Sequence, residues 1–122
     1  MKKIIIADDV EINRGILRDI LEEQFEILEA ADGAQAIELL DKHRDSIALL
    51  FLDLIMPNKS GMDVLVHMNA TDMIQTIPVI IITGEVTTES DVHAYELGAA
   101  DIIHKPFARR IVLRRTLDII EL

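Results

Sequence analysis

Short apolar runs rich in β-branched residues alternate with longer amphipathic stretches along the whole chain, and this pattern constrains the fold most. Lys3 to Ala7 reads as a buried strand and stops at Asp8-Asp9. Ile47 to Leu52 is a second wholly apolar run and ends at Asp53. Val79 to Ile82 opens after Pro78 and terminates at Thr83-Gly84, while Ile102-Ile103 form a last short strand closed by Lys105-Pro106. Unbroken apolar runs of this length mark strands covered on both faces. Phe25 to Glu29 alternates instead, as a strand nearer an edge does.

Helical spacing fills the intervals. Ile12 to Gln24 sets Ile12, Ile16, Leu17, Ile20 and Leu21 on one face. Gly33 to Lys42 does the same with Ala36, Ile37, Leu39 and Leu40, and Gly61 to Ala70 with Val64, Leu65 and Met68. Thr88 with Asp91 has capping-box spacing and opens a helix through Val92, Tyr95 and Leu97, with Gly98 as its C-cap. Ile111 to Leu122 is a final amphipathic helix. Five strand–helix pairs with short joints predict an α/β fold, a doubly wound parallel sheet with helices on both faces. Ligands of such sheets bind beyond the carboxyl ends of the strands.

The 122 residues fit one domain, and half of them are apolar, enough for a core without staples. The absence of cysteine excludes disulfides and thiolate metal sites and fits a reducing cytosol, so a cytoplasmic location is expected. Met1-Lys2-Lys3 is too brief an opening for a signal peptide, and no apolar run approaches bilayer length, so no membrane association is expected. A net charge of −10 argues against direct nucleic-acid binding. His43, His67, His93 and His104 lack ligand spacing, and the methionines read as core and loop residues. Asp32 and Asp101 read as turn or cap residues.

On this strand reading Asp8, Asp9, Asp53, Thr83 and Lys105 gather at one edge of the sheet. Three carboxylates in one pocket need a hard cation, and Mg²⁺ suits a site of few carboxylates plus water. A carboxylate can attack phosphorus to give an aspartyl phosphate, while lysine and metal neutralise the transferring group. Thr83 supplies a hydroxyl, and Gly84 leaves room beside it.

At this point the chain resembles the receiver domains of two-component response regulators over essentially its full length. The resemblance rests on Asp8-Asp9, Asp53 with Met56-Pro57 and Gly61 behind it, Thr83-Gly84, Gly98-Ala99 and Lys105-Pro106-Phe107. It implies a flavodoxin-like sheet of order 2-1-3-4-5. It further implies that Asp53 is the phosphoacceptor, supplied by a histidine kinase or phosphotransfer protein. Asp9 and Asp53 would ligate Mg²⁺ directly, Asp8 through water, and the Ile55 backbone carbonyl would complete the site. Thr83 would hydrogen-bond the phosphoryl group, and Lys105 would bridge to it, with a cis peptide to Pro106.

Two positions depart from the family pattern. Ile102 stands where many receivers carry a switching Tyr or Phe, so the surface change would be read through backbone shifts and packing. Ile55, two residues past Asp53, offers an attacking water no hydrogen bond, which predicts slow self-dephosphorylation. Arg109, Arg110, Arg114 and Arg115 stand on the last helix, which taken alone is a solvated face. In receivers the fourth helix, fifth strand and fifth helix serve output contacts and homodimerisation. The last helix ends in mid-pattern, so the domain is expected to head a longer protein, similar to receivers ahead of cyclic-di-GMP turnover domains.

Two other functions fit the parts less well. An aspartyl-nucleophile phosphohydrolase usually has a second carboxylate just after the nucleophile, where Leu54 and Ile55 stand. A phosphorylation-independent interaction module does not need Asp9, Asp53, Thr83 and Lys105 together. Nucleotide binding is disfavoured because no glycine-rich phosphate loop follows the first strand.

Overall fold

A computed structural model of the chain describes residues 1–84 and 87–120. Five strands, β1 (Lys3–Ala7), β2 (Glu26–Ala30), β3 (Ile47–Leu52), β4 (Val79–Thr83) and β5 (Asp101–His104), form one sheet. Its order is β2-β1-β3-β4-β5, and every pairing is parallel. Between and after them run α1 (Glu11–Leu21), α2 (Gly33–His43), α3 (Gly61–Ala70), α4 (Thr88–Glu96) and α5 (Arg109–Ile120). Short 3₁₀ turns occupy Arg44–Ser46 and Met73–Gln75.

The sheet is covered on both faces, which is why its central strands β1, β3 and β4 lack polar alternation, whereas the edge strand β2 exposes Glu26 and Glu29. On one face Ile5, Leu50, Leu52 and Ile81 pack against Leu40 of α2, Leu65 and Met68 of α3 and Ala94 of α4. On the other, Ile4, Ile6, Phe51 and Ile80 meet Leu17, Ile20 and Leu21 of α1 and Val112 of α5. Each fully buried Leu or Ile contributes about 1.5–3 kcal/mol of transfer free energy.

The expected bounds hold without change for β1, β3 and α3, and the other elements shift by one to a few residues. The helix expected to reach Gln24 stops at Leu21. The last helix begins at Arg109, two residues earlier than expected, and its expected end at Glu121 and Leu122 lies outside the described residues.

Two expected apolar faces are corrected. Ile12 and Ile16 are 73% and 45% exposed, and α1 buries only Leu17, Ile20 and Leu21. A helix that follows a strand begins at the carboxyl edge of the sheet, so its first turns have little sheet beneath them. On α4, Val92 and Tyr95 are about half exposed and Ala94 makes the buried contact. A small residue at the contact lets α4 lie close to the sheet.

The caps differ in the same local way. Thr87, not Thr88, caps α4, and its hydroxyl accepts the Ser90 N–H at 3.0 Å. The reciprocal capping box lies on α3 instead, between Ser60 and Asp63. Asp32 caps α2 as read from sequence, accepting the Gln35 N–H at 2.8 Å. Asp101 is no turn residue: it opens β5, accepts its neighbour Ile102's N–H at 2.8 Å and pairs with Arg115. Gly98, at φ +103°, ends α4 in a conformation that disfavours a side chain.

Candidate functional site

The carboxyl edge of the sheet collects its polar residues because three apolar strands end there. β1 runs out at Ala7, placing Asp8 next, and β3 runs out at Leu52, placing Asp53 next. The Asp53 N–H still donates to the Ala7 carbonyl at 2.9 Å, so the two chains stay in register past the ladder. Asp8 and Asp53 are buried, whereas Asp9 is exposed at the rim. One oxygen of each of the three carboxylates lies within 4.8 Å of the others.

Lys105 spans the gap between the buried pair. Its ammonium donates to Asp53 Oδ2 at 2.7 Å and to Asp8 Oδ2 at 2.8 Å. The Lys105 N–H bonds the Thr83 carbonyl at 2.9 Å, and the following peptide to Pro106 is cis. Burial draws the ammonium's pKa down, but hydrogen bonds and charge from Asp53 and Asp8 outweigh it. Lys105 therefore titrates above the ordinary lysine value and is charged at neutral pH.

The remaining oxygens of the buried pair are used locally. Asp8 Oδ1 accepts the Val10 N–H at 2.9 Å, and Asp53 Oδ1 accepts the Ile55 N–H at 3.3 Å. The second bond lays the Ile55 backbone against the carboxylate while its side chain is 63% exposed. Gly61 is required here: a Cβ would stand 2.3 Å from the Asp53 carbonyl oxygen. Pro57 lies exposed in the joining loop, where Asn58 takes the left-handed conformation at φ 65°. Thr83 is fully buried at the end of β4. A Cβ on Gly84 would meet nothing within 4 Å among the described residues, so close packing is not what calls for glycine there. Ile102 is half-buried and packs against the core beneath α4, without an aromatic ring to swing.

The donor chemistry fits a hard divalent cation. Three oxygen-only ligands converge, two buried and one at the rim, and a single ammonium offsets their charge.

Sequence reasoning missed two features. Arg14 on α1 donates to the Asp8 carbonyl at 2.7 Å and pairs with Glu29 of β2, at 3.2 Å, while Arg18 pairs with the same carboxylate at 2.9 Å. The signal was the i, i+4 spacing of two arginines on a helix beside a strand carrying Glu29. His104 Nε2 lies 3.0 Å from Asp91 Oδ2, tying β5 to α4 beside Thr83. No local pattern marks that pair.

A parallel sheet of this order with three carboxylates and a lysine at its carboxyl edge defines a class of α/β domain whose parts suit phosphoryl chemistry. The chain belongs to the response regulator receiver domain family, which it matches over residues 4–117. It is 42% identical to the transcriptional regulatory protein CpxR of Escherichia coli K12 over 116 residues, covering 94% of this chain and 47% of that protein. The chain thus spans about half the length of such relatives. Among solved structures, the receiver domain of a LuxO repressor protein from Vibrio parahaemolyticus superposes with a TM-score of 0.91 at 22% identity, over 98% of this chain and 90% of that one. The structure of a CheX–CheY–BeF₃–Mg²⁺ complex from Borrelia burgdorferi matches with a TM-score of 0.88 at 28% identity, over 96% and 87%. The chain is therefore a signalling module of two-component phosphorelays.

Proposed function

We propose that this domain, residues 1–122, accepts a phosphoryl group on Asp53 from a histidine kinase or phosphotransfer protein in a Mg²⁺-dependent reaction. The observation that carries the reading is the Lys105 ammonium held between Asp53 and Asp8, with Asp9 at the rim of the same pocket. In the transfer a carboxylate oxygen of Asp53 forms a bond to phosphorus as the donor's bond to phosphorus breaks. Lys105, displaced from the carboxylate, follows charge onto the phosphoryl oxygens. The Thr83 hydroxyl donates a further hydrogen bond to them.

Asp9 and Asp53 would hold Mg²⁺ directly, Asp8 through water, and the Ile55 carbonyl would complete the set. When bound, the cation neutralises charge on the transferring group. The magnesium and beryllofluoride named in the Borrelia complex support this reading.

The donor would dock on the apolar rim beside the pocket, where Val10, Ile12, Ile16 and Ile55 are exposed. The α4–β5–α5 face would carry the change to an output domain, a downstream effector or a second copy. No helix among the described residues is long and apolar enough to cross a membrane, which accords with a cytoplasmic role. The apolar Leu54 and Ile55 after Asp53 leave no acid–base carboxylate there, which favours a switch over a phosphohydrolase.

The test is intact mass after incubation with acetyl phosphate and Mg²⁺, for wild type and Asp53→Asn. Gain of one phosphoryl group in the wild type alone, abolished by chelation, is the expected result. Equal gain in the variant would assign the acceptor elsewhere.

A further inference from the structure

The carbonyl of Asp8 has no place in the sheet, because the β1 ladders to β2 and β3 end at Ala7. It is the Arg14 guanidinium, donating from Nη1 at 2.7 Å, that satisfies it. Arg14 is itself fixed: only 15% of its side chain is exposed, and its Nε lies 3.2 Å from Glu29 Oε1. Glu29 is held in turn through its other oxygen by Arg18 at 2.9 Å. The backbone of β2 next to Glu29 also touches the same turn, the Ala30 carbonyl accepting the Asp8 N–H at 3.1 Å.

These bonds bear on Asp9 through the peptide plane. The Asp8–Asp9 unit is planar, so orienting its carbonyl also orients the Asp9 N–H and constrains the torsions on either side. Asp8 is now held at four points: its N–H, its carbonyl and both carboxylate oxygens. The direction of the Asp9 side chain, the exposed one of the three carboxylates, follows from that anchored frame.

We infer that Arg14, buttressed by Glu29, is a positioning residue for the metal-binding turn, presenting Asp9 to Mg²⁺ through the Asp8 carbonyl. The inference rests on the proposal that this pocket holds Mg²⁺. Geometry and charge make opposite predictions, which gives it a sharp test. Deleting a cation near three carboxylates would by charge alone tighten Mg²⁺, whereas loosening the turn weakens it.

The experiment is calorimetric titration of the intact chain with Mg²⁺ for wild type, Arg14→Met, Arg14→Lys and Glu29→Gln, alongside thermal unfolding in chelator. Loss of an outer-shell contact predicts a Kd raised by about tenfold in Arg14→Met. Arg14→Lys should fall between, since one ammonium cannot reproduce the two-sided fork, and Glu29→Gln should shift the same way by less. An unchanged or tightened Kd in folded Arg14→Met would overturn the positioning role, whatever the unfolding temperature did. Should Arg14→Met not fold, unchanged Kd values in both Arg14→Lys and Glu29→Gln would overturn it equally. Failure of the wild type to bind Mg²⁺ would instead strike the metal reading itself, and the inference with it.

Discussion

Lys105 holds Asp53 at 2.7 Å although the two residues stand 52 positions apart, because each is the first residue past the end of its strand, β5 and β3 respectively. If that ammonium follows charge onto the phosphoryl group, it contributes mainly in the transition state. Lys105→Met is then expected to slow phosphoryl uptake from acetyl phosphate by about 10²-fold, read as an intact-mass time course at saturating Mg²⁺. Uptake within threefold of wild type would remove Lys105 from the reaction.

Proximity of the three carboxylates predicts that Asp9 costs the fold stability when no cation is present. Oxygens of three carboxylates lie within 4.8 Å and one ammonium serves the buried two. Asp9→Asn removes one negative charge at the exposed rim, where screening keeps the gain modest. In chelator the variant should be more stable by about 1 kcal/mol, and added Mg²⁺ should stabilise it less than wild type. Chemical unfolding with and without Mg²⁺ measures both, and a variant less stable in chelator would contradict the repulsion argument.

If Asp53 carries the phosphoryl group, the position of Ile55 predicts a long-lived product. Its backbone N–H is committed to Asp53 Oδ1 at 3.3 Å, and its exposed side chain can neither orient nor polarise water. Ile55→Asn should therefore shorten the half-life of the aspartyl phosphate, followed by loss of the phosphoryl mass after the donor is removed. Equal half-lives would show that water does not approach past this residue.

The capping box of α3 predicts a pH effect away from the site. Asp63 accepts the Ser60 N–H at 2.9 Å, and that bond, with the Ser60 hydroxyl, holds its pKa below the ordinary carboxylate value. A pKa depressed by folding stabilises above the unfolded value, and that contribution is lost as pH falls through the folded one. Asp63→Asn should leave a shallower fall of stability between neutral and strongly acidic pH, measured by thermal unfolding across that range. Parallel curves for the two proteins would mean the cap does not titrate with folding.

Much of this was legible in the sequence because the decisive residues are punctuation. Ile47–Leu52 and Gly61–Ala70 were bounded correctly, since an apolar run stops abruptly at Asp53 and Ser60-Gly61 supplies both a cap and a close approach. Periodicity alone misled where a helix overhangs the sheet. Ile12 and Ile16 share a helical face with Leu17 and Ile20 but start beyond the core. Spacing likewise favoured Val92 and Tyr95 on α4, whereas its closeness to the sheet makes the small Ala94 the contact. Arg14 and Asp101 escaped because their roles lie in partners distant in sequence, Glu29 and Arg115, which no local window contains.

His104 and Asp91 form another such long-range pair, and its energetics follow from what each leaves behind. Nε2 of His104 meets Asp91 Oδ2 at 3.0 Å, while His104 Nδ1 and Asp91 Oδ1 are buried without a hydrogen-bond partner among the described residues. Removing one partner strands the other, already part-desolvated, between α4 and β5. Asp91→Ala and His104→Ala should each cost about 1 kcal/mol. Replacing both, as Asp91→Ala with His104→Ala, removes the stranded groups and should cost less than the sum of the single changes. A double-mutant cycle by chemical unfolding decides it: additive losses would mean that the two side chains touch without holding α4 in place.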